Sequence, residues 1–386
     1  MEVGTLVEHT VRARRVVAVL SAILFFYGFL LGGLQLVIAD AAAEFGAGAT
    51  GMGALVSAQH LSAMAMPVLM GALSDRIGKK KVLCAFCAIF GLGCLLSGVA
   101  RSAAVYVLGT LFFGAGYSVC ESQCCAVLSD LDREKSARYI NLTQGLLCVG
   151  AILGPICVQA CRSGFGADWR IAFYICAAAF FLLTVPLCML RFPAAAPGTG
   201  KQKTHVGRFF ACGVFVALFV AMMFYVGLEN GFGYFADSLL TERVQKSGAG
   251  AISLYWAGMA VSRLIFSARP YKMRPVLVAC FGAAAALFVA LAFSGTEWIL
   301  LAISALIGAA YGPVWSTLVA AAAAQFPEST ASATGLMSTA CGLGGILYPL
   351  LMGATIERAS LTAAMLVLAA TAAAGGAFCL RLKRDA

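Results

Sequence analysis

Apolar residues fill this chain in long blocks, and polar residues gather in the short gaps between them. A membrane-spanning helix needs roughly 20 apolar residues. Twelve blocks reach that length, at about 16–39, 49–72, 81–100, 103–128, 138–161, 169–191, 208–240, 248–268, 275–294, 297–325, 331–356 and 361–381. The pattern predicts an all-α membrane protein with twelve transmembrane helices. Arg12, Arg14 and Arg15 precede the first block, which outruns a signal peptide and has no cleavage context, so it reads as a spanning helix.

The gaps carry an orientation. Twenty of the 27 Lys and Arg residues lie at one set of helix ends, six at the other, and Arg263 falls inside a block. Positive charge collects in cytoplasmic loops, so both termini and the central gap are expected in the cytoplasm. That gap, PAAAPGTGKQKTH, is rich in Pro, Gly and Ala and ends in polar and basic residues, which predicts a linker over 193–207 between halves 1–192 and 208–386.

The halves resemble each other at a single shift of 194 residues. VGAILGPICVQA (149–160) superposes on LGGILYPLLMGA (343–354), and FGAGYSVCES (113–122) on IGAAYGPVWS (307–316). KVLCA (81–85) and GGLQ (32–35) find partners at the same shift. One shift serving four helix pairs indicates a duplicated six-helix unit, an arrangement that places a site at the membrane midplane between pseudo-symmetric bundles.

Composition agrees with the pattern: 61% of residues are hydrophobic and 11% charged, against about half and a quarter in soluble domains. The net charge of +10 then follows from the basic loops and does not imply nucleic acid. The 15 cysteines lie mostly inside apolar blocks, where cysteine packs as a small hydrophobe. Cys84-x-x-Cys87 has no second ligand pair, so no metal or other cofactor is expected. No Gly-rich phosphate loop is present, which argues against ATP drive. Isolated acids on separate helices offer no nucleophile–base spacing, which argues against an enzyme.

GALSDRIGKKKVL (71–83), between the second and third blocks, resembles the signature loop of the major facilitator superfamily through Gly71, Asp75, Arg76, Gly78, Lys79 and Lys80. The resemblance implies that this loop locks and releases the cytoplasmic side during transport; otherwise it only sets topology. DWRIAFYI (168–175) resembles the W-R-x-x-F feature of the same superfamily through Trp169, Arg170 and Phe173 and reads as an interface anchor. FYVGLENGFGYF (224–235), SLYWAGMAVSRL (253–264) and RYINLTQGLLCVGAILGP (138–155) are similar to helices 7, 8 and 5 of the fucose:proton symporter-like group. In helix 4, Gly114, Gly116 and Glu121 match that group, while Ser118 and Cys125 depart from it. Gly150, Gly154 and Pro155 also match part of the helix 5 motif of drug:proton antiporters. The resemblance implies a major facilitator fold and alternating-access transport.

Few ionisable residues lie inside the blocks, where each costs about 3 kcal/mol on insertion scales. Glu121 stands nine residues before Asp130, about 13 Å from that end at ~1.5 Å per residue, near mid-membrane. Its repeat counterpart is Trp315, so the acid is one-sided. Low dielectric favours the neutral form of a carboxyl, which suits proton exchange near neutral pH. Glu121 is the expected proton carrier. Glu229 is a second candidate, beside Asn230 and glycines that would let helix 7 unwind around a ligand. His60 is either a proton carrier or a hydrogen-bonded packing residue, and Arg263 either snorkels or pairs with an acid. Tyr27, Gln35, Asn141, Gln144, Tyr225, Asn230, Trp256, Tyr311 and Trp315 are the expected solute-binding residues, since aromatics and amides suit a neutral polar ligand. The expectation is a monomer in a bacterial cytoplasmic membrane, coupling protons to uptake of a small solute such as a sugar. Proton-driven export of an amphipathic compound is the alternative, and a non-transporting receptor or scaffold the reading from another class.

Overall fold

The computed structural model describes residues 2–131, 136–190, 192, 207–267, 271–326 and 330–382. Helices account for nearly all of them. In a bilayer the backbone finds no water, so each spanning segment must satisfy its own N–H and C=O groups. The order is α1 (Glu2–Glu44), α2 (Ala49–Ile77), α3 (Lys79–Gly98), α4 (Ala103–Leu131), α5 (Ser136–Phe165), α6 (Ile171–Met189), α7 (Gly207–Phe210) and α8 (Gly213–Gly233). It continues with α9 (Ala236–Val244), α10 (Ala249–Ser267), α11 (Met273–Phe293), α12 (Glu297–Tyr311), α13 (Val314–Gln325), α14 (Thr330–Arg358) and α15 (Leu361–Cys379). Eleven spans among the described residues are long and apolar enough to cross a membrane. The 29-residue α2 is a further long helix at the second predicted block.

Two predicted blocks differ in detail. The seventh, expected to run to 240, ends at Gly233, and a separate nine-residue α9 follows. The tenth is interrupted at Gly312-Pro313, between α12 and α13. Proline lacks an N–H and crowds the preceding turn, which breaks a helix there.

By contacts the chain forms two units. One comprises Met1–Gly33 with Ala65–Lys201, the other Leu34–Met64 with Gln202–Ala386. Residues 193–206, most of the predicted linker, lie outside the described residues.

In the first unit, α1 and α5 approach through two Gly-x-x-x-Gly pairs. A Cβ on Gly28 would stand 1.9 Å from the Leu147 carbonyl oxygen, and one on Gly150 2.0 Å from that of Phe25. Gly32 and Gly154 meet Ala151 and Phe29 carbonyls at 2.2 and 2.3 Å in the same way. Small residues allow this backbone contact where lipid supplies no hydrophobic drive between helices. Gly150→Val is expected to lower the thermal unfolding midpoint in detergent, since overpacking costs about 1–3 kcal/mol. Gly145→Val is the control on the same helix, with open space around that position. Equal midpoints for the two variants would contradict the contact.

The second unit repeats the device. Gly154 faces Phe29 O and Gly33 N, and Gly344 faces Met223 O and Gly227 N. Phe29 and Gly33 map onto Met223 and Gly227 at the shift of 194 residues, whereas Gly154 maps onto Gly344 at 190, about one turn less. The duplicated helix pair is thus kept while one helix slides by a turn. Pro155 and Pro349 both sit inside helices that continue through them.

The W-R-x-x-F segment joins α6 to the α3–α4 connection. Trp169 is buried, edge-on to Tyr106 and Phe173. The Arg170 guanidinium lies 4.3 Å from its ring centre and donates to Ala100 O at 2.8 Å and Asp168 Oδ2 at 2.6 Å. The anchor expected at the interface therefore also clamps two connections together.

Candidate functional site

In the first unit, Glu121 is half-buried on α4. The Gln144 side chain on α5 donates through Nε2 to Glu121 Oε1 at 3.1 Å. One turn earlier, Tyr117 stacks on Tyr27 of α1, with ring centres 4.6 Å apart and planes 9° from parallel. Residues four apart share a helix face, so Tyr27, Tyr117, Glu121 and Gln144 form one polar-aromatic surface. Phe90 closes it from α3, packed on both tyrosines. Sequence reasoning missed Tyr117 as a site residue; its spacing of four from Glu121 was the available signal. The Asn141 side chain lies outside the described residues. Cys124 is fully buried, consistent with packing.

The second unit holds a larger cluster. Trp256 Nε1 on α10 donates to Gln35 Oε1 on α1 at 2.9 Å. Gly233 leaves room for that amide, because a Cβ there would stand 2.3 Å from Gln35 Nε2. Tyr225 and Tyr311 meet edge-on at 5.6 Å, and Tyr255 packs on both Trp256 and Tyr311. All these side chains are almost completely buried. Among the described residues, the hydroxyls of Tyr255 and Tyr311 and the Gln35 Nε2 nonetheless have no hydrogen-bond partner. An unsatisfied buried polar group costs about 1–3 kcal/mol, so these three groups are the polar atoms of the cluster with hydrogen-bonding capacity to spare. Glu229, one turn along α8 from Tyr225, and Arg263 on α10 are the charged neighbours of the Tyr225 hydroxyl. Arg263 Nε donates to Gly312 O at 3.3 Å, at the break between α12 and α13.

His60 belongs to a separate amide network. Its Nε2 lies 3.4 Å from both Gln59 Nε2 and Asn230 Nδ2, and its ring covers Gly345. Gln59 Nε2 also donates to the Tyr234 hydroxyl at 2.6 Å. The break at Gly312-Pro313 separates Tyr311, fully buried, from Trp315, which is 38% exposed. The glycines after Glu229 do not unwind α8, which runs unbroken to Gly233. They permit close approach instead, Gly231 to Leu368 and Gly233 to Gln35.

At the signature loop, the surroundings of Gly71 and the side chains of Asp75 and Arg76 lie outside what the structure describes. Gly78 takes φ +97°, a conformation L side chains rarely adopt, and so turns α2 into α3. Three lysines at the start of α3 oppose its dipole. Lys80 offsets this by donating to the Cys188 carbonyl, 2.5 Å away in the last turn of α6, where a cation is favoured. Among the described residues, no group of three or more His, Cys, Asp or Glu side chains is arranged to hold a metal.

Long apolar helices that carry a mid-helix carboxylate in the first unit and a buried cluster of tyrosines and amides in the second are those of an integral membrane protein. The chain belongs to the Major Facilitator Superfamily, whose family model matches residues 20–269. Among curated proteins it is 26% identical over 160 residues to the multidrug resistance protein MdtL of Escherichia coli O81 (strain ED1a), and 28% identical over 160 residues to that of Citrobacter koseri. In each case the match covers 39% of this chain and 40% of the relative. Among solved structures, a mutant of the nucleoside transporter NupG superposes with TM-score 0.81 at 17% identity, covering 95% of this chain and all of that one. A bacterial homologue of the human lysosomal transporter Spinster gives TM-score 0.71 at 16% identity, over 96% and 95% of the two chains. These likenesses support the fold of two six-helix bundles.

Proposed function

We propose that this transporter couples protons to the movement of a small, neutral, polar solute by alternating access, with Glu121 as the proton carrier. The observation that carries the reading is the Glu121–Gln144 contact near the middle of α4. A primary amide donates to a carboxylate and accepts from a carboxylic acid, so the contact survives both protonation states. Glu229 is a second carrier or a solute ligand, and His60 a secondary proton site. The bundles are 1–192 and 208–386, joined by 193–207, with both termini on the cytoplasmic side where the basic loops lie. Asp75, Arg76 and their loop gate that side. The protein acts as a monomer.

For the solute, the hydroxyls of Tyr255 and Tyr311 and the Gln35 amide supply hydrogen bonds, Tyr225 contributes a hydroxyl set between Glu229 and Arg263, and Trp256 and the tyrosine rings supply flat apolar faces. A sugar, polar on its edge and apolar on its faces, fits this chemistry. A screen by thermal shift over sugars, nucleosides, carboxylates and drugs identifies the ligand, because a ligand of the folded state raises stability. Tyr311→Phe gives a two-sided test. It removes an unpartnered buried hydroxyl, so the empty protein should unfold at an unchanged or higher temperature, while solute affinity falls several-fold. A variant with lower stability and unchanged affinity would contradict the reading.

The similarity to MdtL favours a second reading, proton-driven export of amphipathic compounds. Proteoliposomes with an imposed pH gradient separate the two by the direction of net movement.

A further inference from the structure

We propose that the groove between α1 and α5 is a binding site for one anionic phospholipid, taken from the leaflet that holds Arg14. The groove has a volume of about 590 Å³. On α1 it is lined by a single stripe that runs from Arg14 past Ser21 to Phe25, and on α5 by Tyr139, Leu142 and Leu146. By the 3.6-residue period, Tyr27 and Gln144 fall outside these stripes, so the groove is separate from the Glu121 surface.

Its chemistry is graded along the helix axis. Arg14, exposed, and Tyr139 stand at one end. Beyond them the walls are apolar apart from Ser21, and Leu142 is 52% exposed. From Arg14 to Phe25 the α1 wall rises roughly 16 Å at about 1.5 Å per residue, the depth of one leaflet of a core about 30 Å thick. A guanidinium forks onto phosphate oxygens with two parallel hydrogen bonds, and a phenol adds a third donor. The Arg14 charge at the mouth of a leaflet-deep apolar slot selects an anionic headgroup carrying an acyl chain. A free phosphate lacks the chain, and a zwitterionic lipid offsets the attraction with its own cation.

The test uses the full chain in nanodiscs of equal parts dioleoyl phosphatidylglycerol and dioleoyl phosphatidylcholine. The photoreactive residue benzoylphenylalanine replaces Leu142, or Ala18 should the Leu142 variant fold poorly. The adducts are read by mass spectrometry. Phosphatidylglycerol is expected to be captured at least fivefold over phosphatidylcholine. The same probe at Leu182 on α6, an exposed apolar position outside the groove, is expected to capture both alike. Arg14→Gln should abolish the preference, whereas Arg15→Gln, the same charge change at a residue outside the groove lining, should leave it intact. Equal capture at Leu142, a preference that survives Arg14→Gln, or equal loss in the two arginine variants would overturn the proposal. So would capture of an added transport solute in place of lipid.

Discussion

Glu121→Gln is expected to abolish accumulation of solute driven by a pH gradient while leaving solute exchange across the membrane within a few-fold of wild type. The substitution is nearly isosteric and keeps a group able to meet the Gln144 amide, which now donates at 3.1 Å to the carboxylate. What it removes is the exchangeable proton and the charge. A charged side chain at the bilayer centre is costly by at least ~3 kcal/mol, so the neutral form crosses between states more readily. Gln fixes that neutral form. Counterflow, which needs reorientation of the loaded carrier only, should therefore persist, and net movement should lose its dependence on external pH. Uptake that still follows the pH gradient in Glu121→Gln would remove Glu121 from the coupling mechanism. Loss of both uptake and counterflow would assign it to solute binding.

The second large effect is expected where α2 lies against α14. A Cβ on Gly53 would stand 2.1 Å from the Pro349 carbonyl oxygen, and one on Gly353 2.1 Å from that of Ala49. These are backbone obstacles that cannot swing away. Hydrogen bonds fasten the same contact. Ser57 Oγ donates to Ile346 O at 2.7 Å, and the Glu357 carboxylate accepts from Thr50 N at 2.9 Å and from Thr50 Oγ1 at 2.6 Å. Glu357 thereby caps the start of α2, where free N–H groups and the helix dipole favour an anion.

Gly53→Val or Gly353→Val should lift α2 from α14. Overpacking of about 1–3 kcal/mol corresponds to a shift of roughly 5–150-fold in the population of this state, at tenfold per 1.4 kcal/mol. Hydrogen exchange over 49–64 and 342–357 should accelerate, and transport should slow if the contact forms once per cycle. Gly335→Val, on the same α14 but with open space around it, serves as the control. Unchanged exchange in both wedge variants would mean that this contact does not control the state.

Much of this was legible in the sequence because lipid leaves few options. Blocks of apolar residues had to be helices, and an acid among them stood out. Glu121, Gln144 and Tyr27, chosen from sequence, do share one surface. What escaped was long-range pairing. Gln59 with Tyr234 and Gln35 with Trp256 join residues 175 and 221 positions apart, and no local period records such partners. Glycines misled in the other direction. Those after Glu229 read as a site of unwinding, but a helix can also use glycine for approach, and only the neighbours Leu368 and Gln35 show which. The Gly312-Pro313 break carried a local signal, yet the apolar pattern runs across it and hid the interruption between Tyr311, buried, and Trp315, partly exposed. The one-turn slide of Gly344 relative to Gly154 was invisible because Ala- and Gly-rich helices align almost as well in either register.

Proton movement itself gives the most direct test of the coupling. Proteoliposomes are loaded with a pH-sensitive dye, without an imposed gradient, and given the solute identified by thermal shift. Solute entering down its own gradient should carry protons with it and acidify the lumen in wild type, and should enter without acidification in Glu121→Gln. Solute flux in wild type with no change in lumenal pH would contradict the account.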